Sequence, residues 1–322
     1  MSLIEQAAKR LEQLRQAGVD LPEDNAPRSL ASEAKAAETV PDPYAAKAQI
    51  APTVDQTVAK IEPAPTKSPS VPSRRVELNL EAISASGLLV PQISRSQLAD
   101  EYRVIKRPLI ANAMGKGIAP IQNGNLIMVT SALPGEGKSF TAINLAISIA
   151  MELDNTVMLV DADVARPSVL NMLGLPPAPG LLDVVDKNSV DISGVLLRTN
   201  IEKLSILPSG TQHPRATELL ASDAMVRLLD DMASRYSDRI IIFDSPPLLL
   251  TTESRALATH MGQIVIVVHA ENTAQAAVKQ AVDAIEACPV KMMVLNQARQ
   301  ASTDGYGYGY GYGYGYGYGN EN

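Results

Sequence analysis

The chain has 322 residues, of which 46% are hydrophobic, and a formal net charge of −7. This length allows one α/β domain of about 200 to 250 residues with appendages, and the acidic balance argues against a nucleic-acid partner held over the whole surface. The single cysteine excludes an intramolecular disulfide framework. No apolar run reaches the roughly eighteen residues of a membrane span, and Glu5, Lys9 and Arg10 are charged where a signal peptide would be apolar. We therefore expect a cytoplasmic protein whose membrane role depends on a partner.

The first 74 residues divide into a short helix and a linker. Apolar residues recur at helical spacing within residues 1–19, and the pattern stops at Gly18. Residues 20–74 are rich in Ala, Pro, Ser and charge without sustained periodicity, which predicts a disordered linker. The helix is then either a tethered recognition element or a frayed end, and the sequence leaves both interpretations open.

Order is expected to return near Arg75, at the start of a domain that spans residues 75–302. Alternating apolar residues from Val76 to Leu80 predict a short extended segment, and a short helix after it ends at Gly87. A stronger helical pattern covers Gln97–Ala113, in which Pro108 predicts a kink.

The stretch 125–150 combines a strand, a glycine-rich turn and a helix. The turn reads ALPGEGKS at residues 132–139, the form of a P-loop with Ala132 in place of the first glycine. A P-loop meets phosphates with backbone N–H groups at a helix N-terminus, where the helix dipole also favours anions. Lys138 would reach the β- and γ-phosphates, and the Ser139 hydroxyl would bind Mg²⁺. We expect ATP and Mg²⁺ to bind along the consecutive residues Pro134, Gly135, Glu136, Gly137, Lys138, Ser139 and Phe140.

Strand and helix patterns alternate over the rest of the domain. Strands are predicted at Thr156–Val160, Lys203–Leu207, Arg239–Phe243, Gln263–Val268 and Lys291–Leu295, and helices at Thr217–Ser234 and Thr273–Ala287. This alternation predicts an α/β fold of the P-loop NTPase type, a parallel twisted sheet with helices on both faces. The order of the strands in space cannot be read from their order in the chain.

Aspartates end two of the predicted strands. Asp161 and Asp163 follow the strand after the P-loop helix, and Asp244 follows four consecutive apolar residues. Because parallel strands present their carboxyl ends at one edge of a sheet, these side chains should meet the P-loop there. We expect Asp244 to hold Mg²⁺ through water. Asp161 would also bind the metal, and near the γ-phosphate it would act as a base or water-orienting carboxylate, assisted by Asp163.

With these motifs, the sequence resembles the bacterial tyrosine autokinases from about residue 94 onward. That family combines a P-loop, an acidic motif called Walker A′, a Walker B motif and a tyrosine-rich tail. Here these read ALPGEGKS, VMLVDADVARP, IIIFDSPP and a Gly-Tyr repeat. The N-terminal segment and the repeat look most like the branch associated with exosortase and exopolysaccharide clusters. The resemblance implies ATP-dependent autophosphorylation in trans within a homo-oligomeric ring, which governs polysaccharide chain length or export.

The resemblance also implies partners and further site residues. The partners are a transmembrane chain-length-determinant protein as activator, which would recruit the chain to the inner membrane face, and a tyrosine phosphatase. The family's interface helix has Glu-x-x-Arg-x-x-Arg, for which this sequence offers Asp100, Arg103 and Lys106. Asn296, after the last predicted strand, is a candidate for contacting adenine.

The chain ends in a Gly-Tyr tail, residues 303–322. Glycine at every second position lets each tyrosine enter a tight site without unfolding other structure. The resemblance implies that the seven tyrosines of the repeat are phosphorylated, namely Tyr306, Tyr308, Tyr310, Tyr312, Tyr314, Tyr316 and Tyr318.

Two other functions compete with kinase activity. A partitioning or septum-placement ATPase would switch on nucleotide without phosphorylating protein, but such proteins have a signature lysine at the position of Leu133. A nucleotide-binding adaptor would use the tail as a sticky interaction tract. A phosphotyrosine assay with purified protein and ATP separates all three.

Overall fold

The computed structural model describes residues 73–93, 95–187, 191–235 and 239–299. The helix expected in residues 1–19, most of the linker and the tail tyrosines lie outside these ranges, and the domain boundaries stay predictions. Within these ranges, none of the helices combines the length and the apolarity that crossing a membrane requires.

The described residues form eight strands and ten helices. The strands are β1 Arg74–Arg75, β2 Leu126–Ser131, β3 Thr156–Asp161, β4 Leu197–Arg198, β5 Leu204–Leu207, β6 Arg239–Asp244, β7 Gln263–His269 and β8 Val290–Asn296. The helices are α1 Leu80–Ala85, α2 Gln97–Ala113, α3 Lys138–Ala150, α4 Val169–Met172, α5 Leu181–Lys187, α6 Ile192–Val195, α7 Ala216–Leu220, α8 Asp223–Arg235, α9 Thr252–Ala258 and α10 Gln275–Asp283.

All strands belong to one sheet in the order β1-β4-β5-β3-β6-β2-β7-β8. Every neighbouring pair is parallel except β4 with β5, which are antiparallel. The α/β fold predicted from the sequence is therefore confirmed, with one antiparallel pair added. The strand order places β2, β6 and β3 side by side in the middle of the sheet, and this arrangement positions the site.

The sheet is packed on both faces, because successive side chains of a strand point to opposite sides. In β2, Leu126 and Met128 join one hydrophobic cluster, while Ile127 and Val129 join a second cluster on the other face. All four side chains are fully buried. Strands covered on both faces read as continuous apolar runs, as these do.

Two capped helices precede the P-loop strand. The side chain of Asn79 accepts a hydrogen bond from the backbone of Ala82 at the start of α1, and Ser96 does the same for Ala99 at the start of α2. Helix α2 packs against α3 and continues through Pro108.

Several predicted elements differ in extent. The helix predicted over Thr217–Ser234 is two helices, α7 and α8, because the Ser222 hydroxyl accepts a hydrogen bond from the backbone of Met225 and starts a new helix. The helix predicted over Thr273–Ala287 is limited to α10. The extended segment predicted from Val76 to Leu80 ends one residue earlier, since Leu80 already begins α1, and the strand that precedes it is limited to Arg74–Arg75.

Candidate active site

The P-loop and two acidic strand ends meet at one edge of the sheet. β6 lies between β2, which leads into the P-loop, and β3. Asp244 at the end of β6 is the register partner of both Asp161 on β3 and Val129 on β2. The strand order therefore brings Asp244 beside residues that lie 83 and 115 positions earlier in the chain.

The P-loop backbone has the shape of an anion cradle. Gly135 and Gly137 adopt left-handed conformations with φ of 81° and 93°, which glycine accepts without steric cost. Gly137 caps α3 without a side-chain hydrogen bond, so the first N–H groups of a 13-residue helix remain available to a ligand.

Lys138 is already paired within the site. Its Nζ lies 2.7 Å from Oδ2 of Asp163, and both side chains are mostly buried. The neighbouring Ser139 hydroxyl accepts a hydrogen bond of 2.9 Å from Ser168. The structure thus brings the predicted phosphate contact, metal ligand and assisting carboxylate into one cluster.

Asp161 is buried and only half satisfied. Its Oδ2 accepts hydrogen bonds of 3.1 Å from the backbone N–H groups of Ser168 and Val169, whereas its Oδ1 has no hydrogen-bond partner. Burial, together with the charge of Asp244, raises the pKa of Asp161 to about 7. The ionised carboxylate is therefore costly without a cation beside it.

Asp244 is fully buried, and neither of its carboxylate oxygens has a hydrogen-bond partner in the described residues. Burial raises its pKa to about 6, although the nearby Lys138 charge and Ser139 hydroxyl oppose the rise. Because buried polar groups are normally satisfied, these two oxygens are suited to a cation or to a water that contacts one.

These residues fit Mg²⁺. Among the residues that the structure describes, no group of three or more His, Cys, Asp or Glu side chains could hold a metal by itself. Mg²⁺ in nucleotide sites needs no such cage, since it takes one or two protein ligands and fills its shell with phosphate oxygens and water. Ser139, Asp161 and Asp244 are the side chains that would hold it.

Three of the expected nucleotide-binding residues direct their side chains elsewhere. The Glu136 carboxylate is buried and accepts hydrogen bonds from the Leu133 backbone and the Thr273 hydroxyl, so it fixes the loop. Phe140 lines a groove between α2 and β8, and Pro134 is exposed. Any phosphate contact from these residues involves their backbone.

The end of β8 lies against the P-loop. Nδ2 of Asn296 donates a hydrogen bond of 2.9 Å to the Glu136 carbonyl, and Nε2 of Gln297 donates one of 3.3 Å to the Gly135 carbonyl. The sequence analysis identified Asn296 but missed Gln297 and Thr273. A polar residue that directly follows a parallel strand was the available signal for Gln297.

The three expected interface residues differ in exposure. Asp100 and Arg103 form an exposed ion pair on α2. Lys106 is 5% exposed, and its Nζ lies 2.5 Å from the Ser148 carbonyl and 2.7 Å from the Glu152 carboxylate. The surface position expected for Lys106 is therefore wrong, because the side chain ties α2 to the end of α3 in its own subunit.

A parallel sheet whose P-loop is flanked by acidic strand ends defines a P-loop nucleotide-binding domain. The profile of the AAA domain family matches residues 124–297, just over half of the chain. The chain is 33% identical over 199 residues to the tyrosine-protein kinase YwqD of Bacillus subtilis. The aligned region covers 62% of this chain and 80% of YwqD. The chain thus belongs to the bacterial tyrosine-protein kinases.

Longer relatives and a solved structure are also similar to this chain. The chain is 30% identical over 183 residues to the succinoglycan biosynthesis transport protein ExoP of Rhizobium meliloti, across 56% of this chain and 22% of ExoP. It spans no more than 24% of several such relatives. The crystal structure of the chimerical protein CapA2B2 matches 66% of this chain and 97% of its own, with 27% identity and a TM-score of 0.53.

Proposed function

We propose that this protein is an ATP-dependent tyrosine kinase that phosphorylates the tyrosines of its own tail in trans, within a homo-oligomeric ring, and so regulates the chain length or export of an exopolysaccharide. The observation that carries the proposal is the set of unpartnered, buried carboxylate oxygens of Asp161 and Asp244 beside the P-loop lysine. The similarity to YwqD supports kinase activity, and the similarity to ExoP supports a role in polysaccharide production.

Each residue of the site has a defined task. Lys138 exchanges Asp163 for the β- and γ-phosphates, while the N–H groups at the start of α3 hold the phosphate oxygens. Ser139, Asp161 and Asp244 would hold Mg²⁺, which would supply positive charge to offset the charge developing on the transferred phosphoryl group. Asp161 orients the acceptor hydroxyl and takes its proton.

A cleft beside Asp161 provides space for the acceptor. It has a volume of about 570 Å³ and is lined by Asp161, by apolar side chains that include Leu170, Pro177 and Pro179, and by polar residues around Thr211. Apolar walls that lead to a carboxylate suit a tyrosine, whose ring is apolar and whose hydroxyl needs a polar partner.

The partners follow the same proposal. The exposed Asp100 and Arg103 on α2 contribute to the ring interface. Residues 1–19 bind a transmembrane chain-length-determinant activator, which brings the protein to the inner membrane face, and a tyrosine phosphatase reverses the modification.

The test uses the purified full-length chain with ATP and Mg²⁺, an anti-phosphotyrosine readout and mass spectrometry of the tail. Lys138→Met should abolish phosphotyrosine while leaving the fold intact, whereas the exposed Lys279→Met should behave as wild type. ATP hydrolysis without phosphotyrosine would instead identify a partitioning-type switch. Nucleotide binding with neither activity would identify an adaptor.

A further inference from the structure

The end of β8 contacts two peptide units of the P-loop. The Asn296 side chain donates to the Glu136 carbonyl, and the Gln297 side chain donates to the Gly135 carbonyl. The approach is close, since a methyl group placed on Gly137 would lie 2.1 Å from Nδ2 of Asn296. Gln297 itself has a left-handed backbone with φ of 58°, a conformation that is uncommon outside glycine and places its side chain at the loop.

These hydrogen bonds fix the direction of two N–H groups. In a trans peptide, the C=O of one residue and the N–H of the next point in opposite directions within one plane. Because the Gly135 carbonyl points toward Gln297 at the end of β8, the Glu136 N–H points away from β8. Because the Glu136 carbonyl points toward Asn296, the Gly137 N–H also points away from β8. The Gly137 N–H donates no hydrogen bond to another residue in the described ranges, so it is available to an anion.

We propose that Asn296 and Gln297 are positioning residues that aim the Glu136 and Gly137 N–H groups into the phosphate cradle. The inference rests on the proposed function in that the ligand is a nucleotide phosphate. It assigns Asn296 a contact with the loop rather than with adenine, and it adds Gln297 to the site. Without these two amides, the glycine-flanked peptides are free to turn their carbonyls toward the phosphates, which repel them.

The test separates phosphate contacts from base contacts. A fluorescent ADP analogue bound to the full-length chain is displaced by pyrophosphate in one titration and by adenosine in another. Asn296→Ala and Gln297→Ala should each lower the affinity for pyrophosphate by about three- to tenfold, which corresponds to the loss of one hydrogen bond. The affinity for adenosine should not change. Gln297→Glu keeps the side-chain length but cannot donate a hydrogen bond to the Gly135 carbonyl, so it should lower the affinity for pyrophosphate at least as much. Gln280→Ala, an exposed glutamine on α10, is the matched control.

Kinetics give an independent readout. The KM for ATP should rise by a similar factor in both alanine variants, with kcat preserved because the residues do not touch the reacting atoms. Unchanged pyrophosphate affinity in both variants overturns the proposal, as does a loss of adenosine affinity with pyrophosphate unchanged. An equal loss of affinity for pyrophosphate and adenosine would indicate that the whole nucleotide site is perturbed, and it overturns the proposal too. If the wild type does not bind the ADP analogue at all, the proposed function fails instead.

Discussion

Replacing Asp244 with asparagine should stabilise the protein in the absence of metal and nucleotide. Burial raises the pKa of Asp244 from 3.8 to about 6. Since each pKa unit corresponds to about 1.4 kcal/mol, the ionised carboxylate costs about 3 kcal/mol of folding free energy above pH 6. Asparagine has nearly the same shape without the charge. For a domain of this size, the gain corresponds to a rise in Tm of about 6 to 12 °C.

The stability difference between Asp244→Asn and the wild type should depend on pH. Between about pH 4 and pH 6, the folded protein holds a proton that the unfolded chain has released, so wild-type stability falls as pH rises through this range. The advantage of Asp244→Asn should therefore be about 3 kcal/mol at pH 8 and about 1 kcal/mol at pH 4.5. Urea denaturation in EDTA at both pH values measures it. Mg²⁺ with ATP should then stabilise the wild type more than the variant.

A second aspartate provides the control. Oδ2 of Asp183 accepts hydrogen bonds of 2.9 Å from the Gly180 and Thr211 backbones, so Asp183→Asn should lose about 1 to 3 kcal/mol. The reasoning about Asp244 is refuted if Asp244→Asn is less stable than wild type at pH 8 without metal. It is also refuted if its advantage is the same at both pH values.

The remaining predictions concern assembly. Reversing the charges of Asp100 and Arg103 together should yield monomers with weak trans-phosphorylation, and unchanged sedimentation would count against an interface there. Lys106→Met should leave the mass unchanged but cost about 3 kcal/mol in urea denaturation, because Glu152 loses its buried partner; stability equal to wild type would contradict this. Deleting residues 1–20 should preserve autophosphorylation and abolish co-purification with the membrane activator, whereas equal co-purification would exclude that role. In light scattering during an ATP time course, the wild type should lose mass as each phosphotyrosine adds about −1.5 to −2 charges, more steeply at low salt. A variant with all tail tyrosines changed to phenylalanine should stay assembled, and equal masses throughout would make the tail a substrate without a switching role.

Long periodic segments of the fold were predictable from the sequence. The predicted strands Arg239–Phe243 and Gln263–Val268 each differ from β6 and β7 by one residue at the end, because apolar runs between polar ends specify buried strands. The two-residue β4 has too few positions to show a period. The break before α8 depends on one serine capping a helix, with no glycine or proline to mark it.

The candidate site was likewise predictable only in part. The convergence of Asp161 and Asp244 followed from the rule that parallel strands end at one edge, and the structure places them in register. The pairing of side chains did not follow, since Lys106 contacts a carbonyl 42 residues away along the chain. Such contacts depend on how α2 packs on α3, and local sequence patterns contain no information about that packing.

The pairing of Lys138 with Asp163 gives the lysine that we propose binds phosphate a counter-ion from its own chain. A phosphate that enters the loop has to displace this carboxylate, so binding is an exchange of one anion for another. The electrostatic free energy gained when phosphate binds is therefore smaller than it would be for an unpaired lysine ammonium. Added salt should also weaken phosphate binding less. When the nucleotide leaves, Asp163 should recapture the Lys138 ammonium. We expect this competition to shorten the residence time of the product, which a kinase has to release after every transfer.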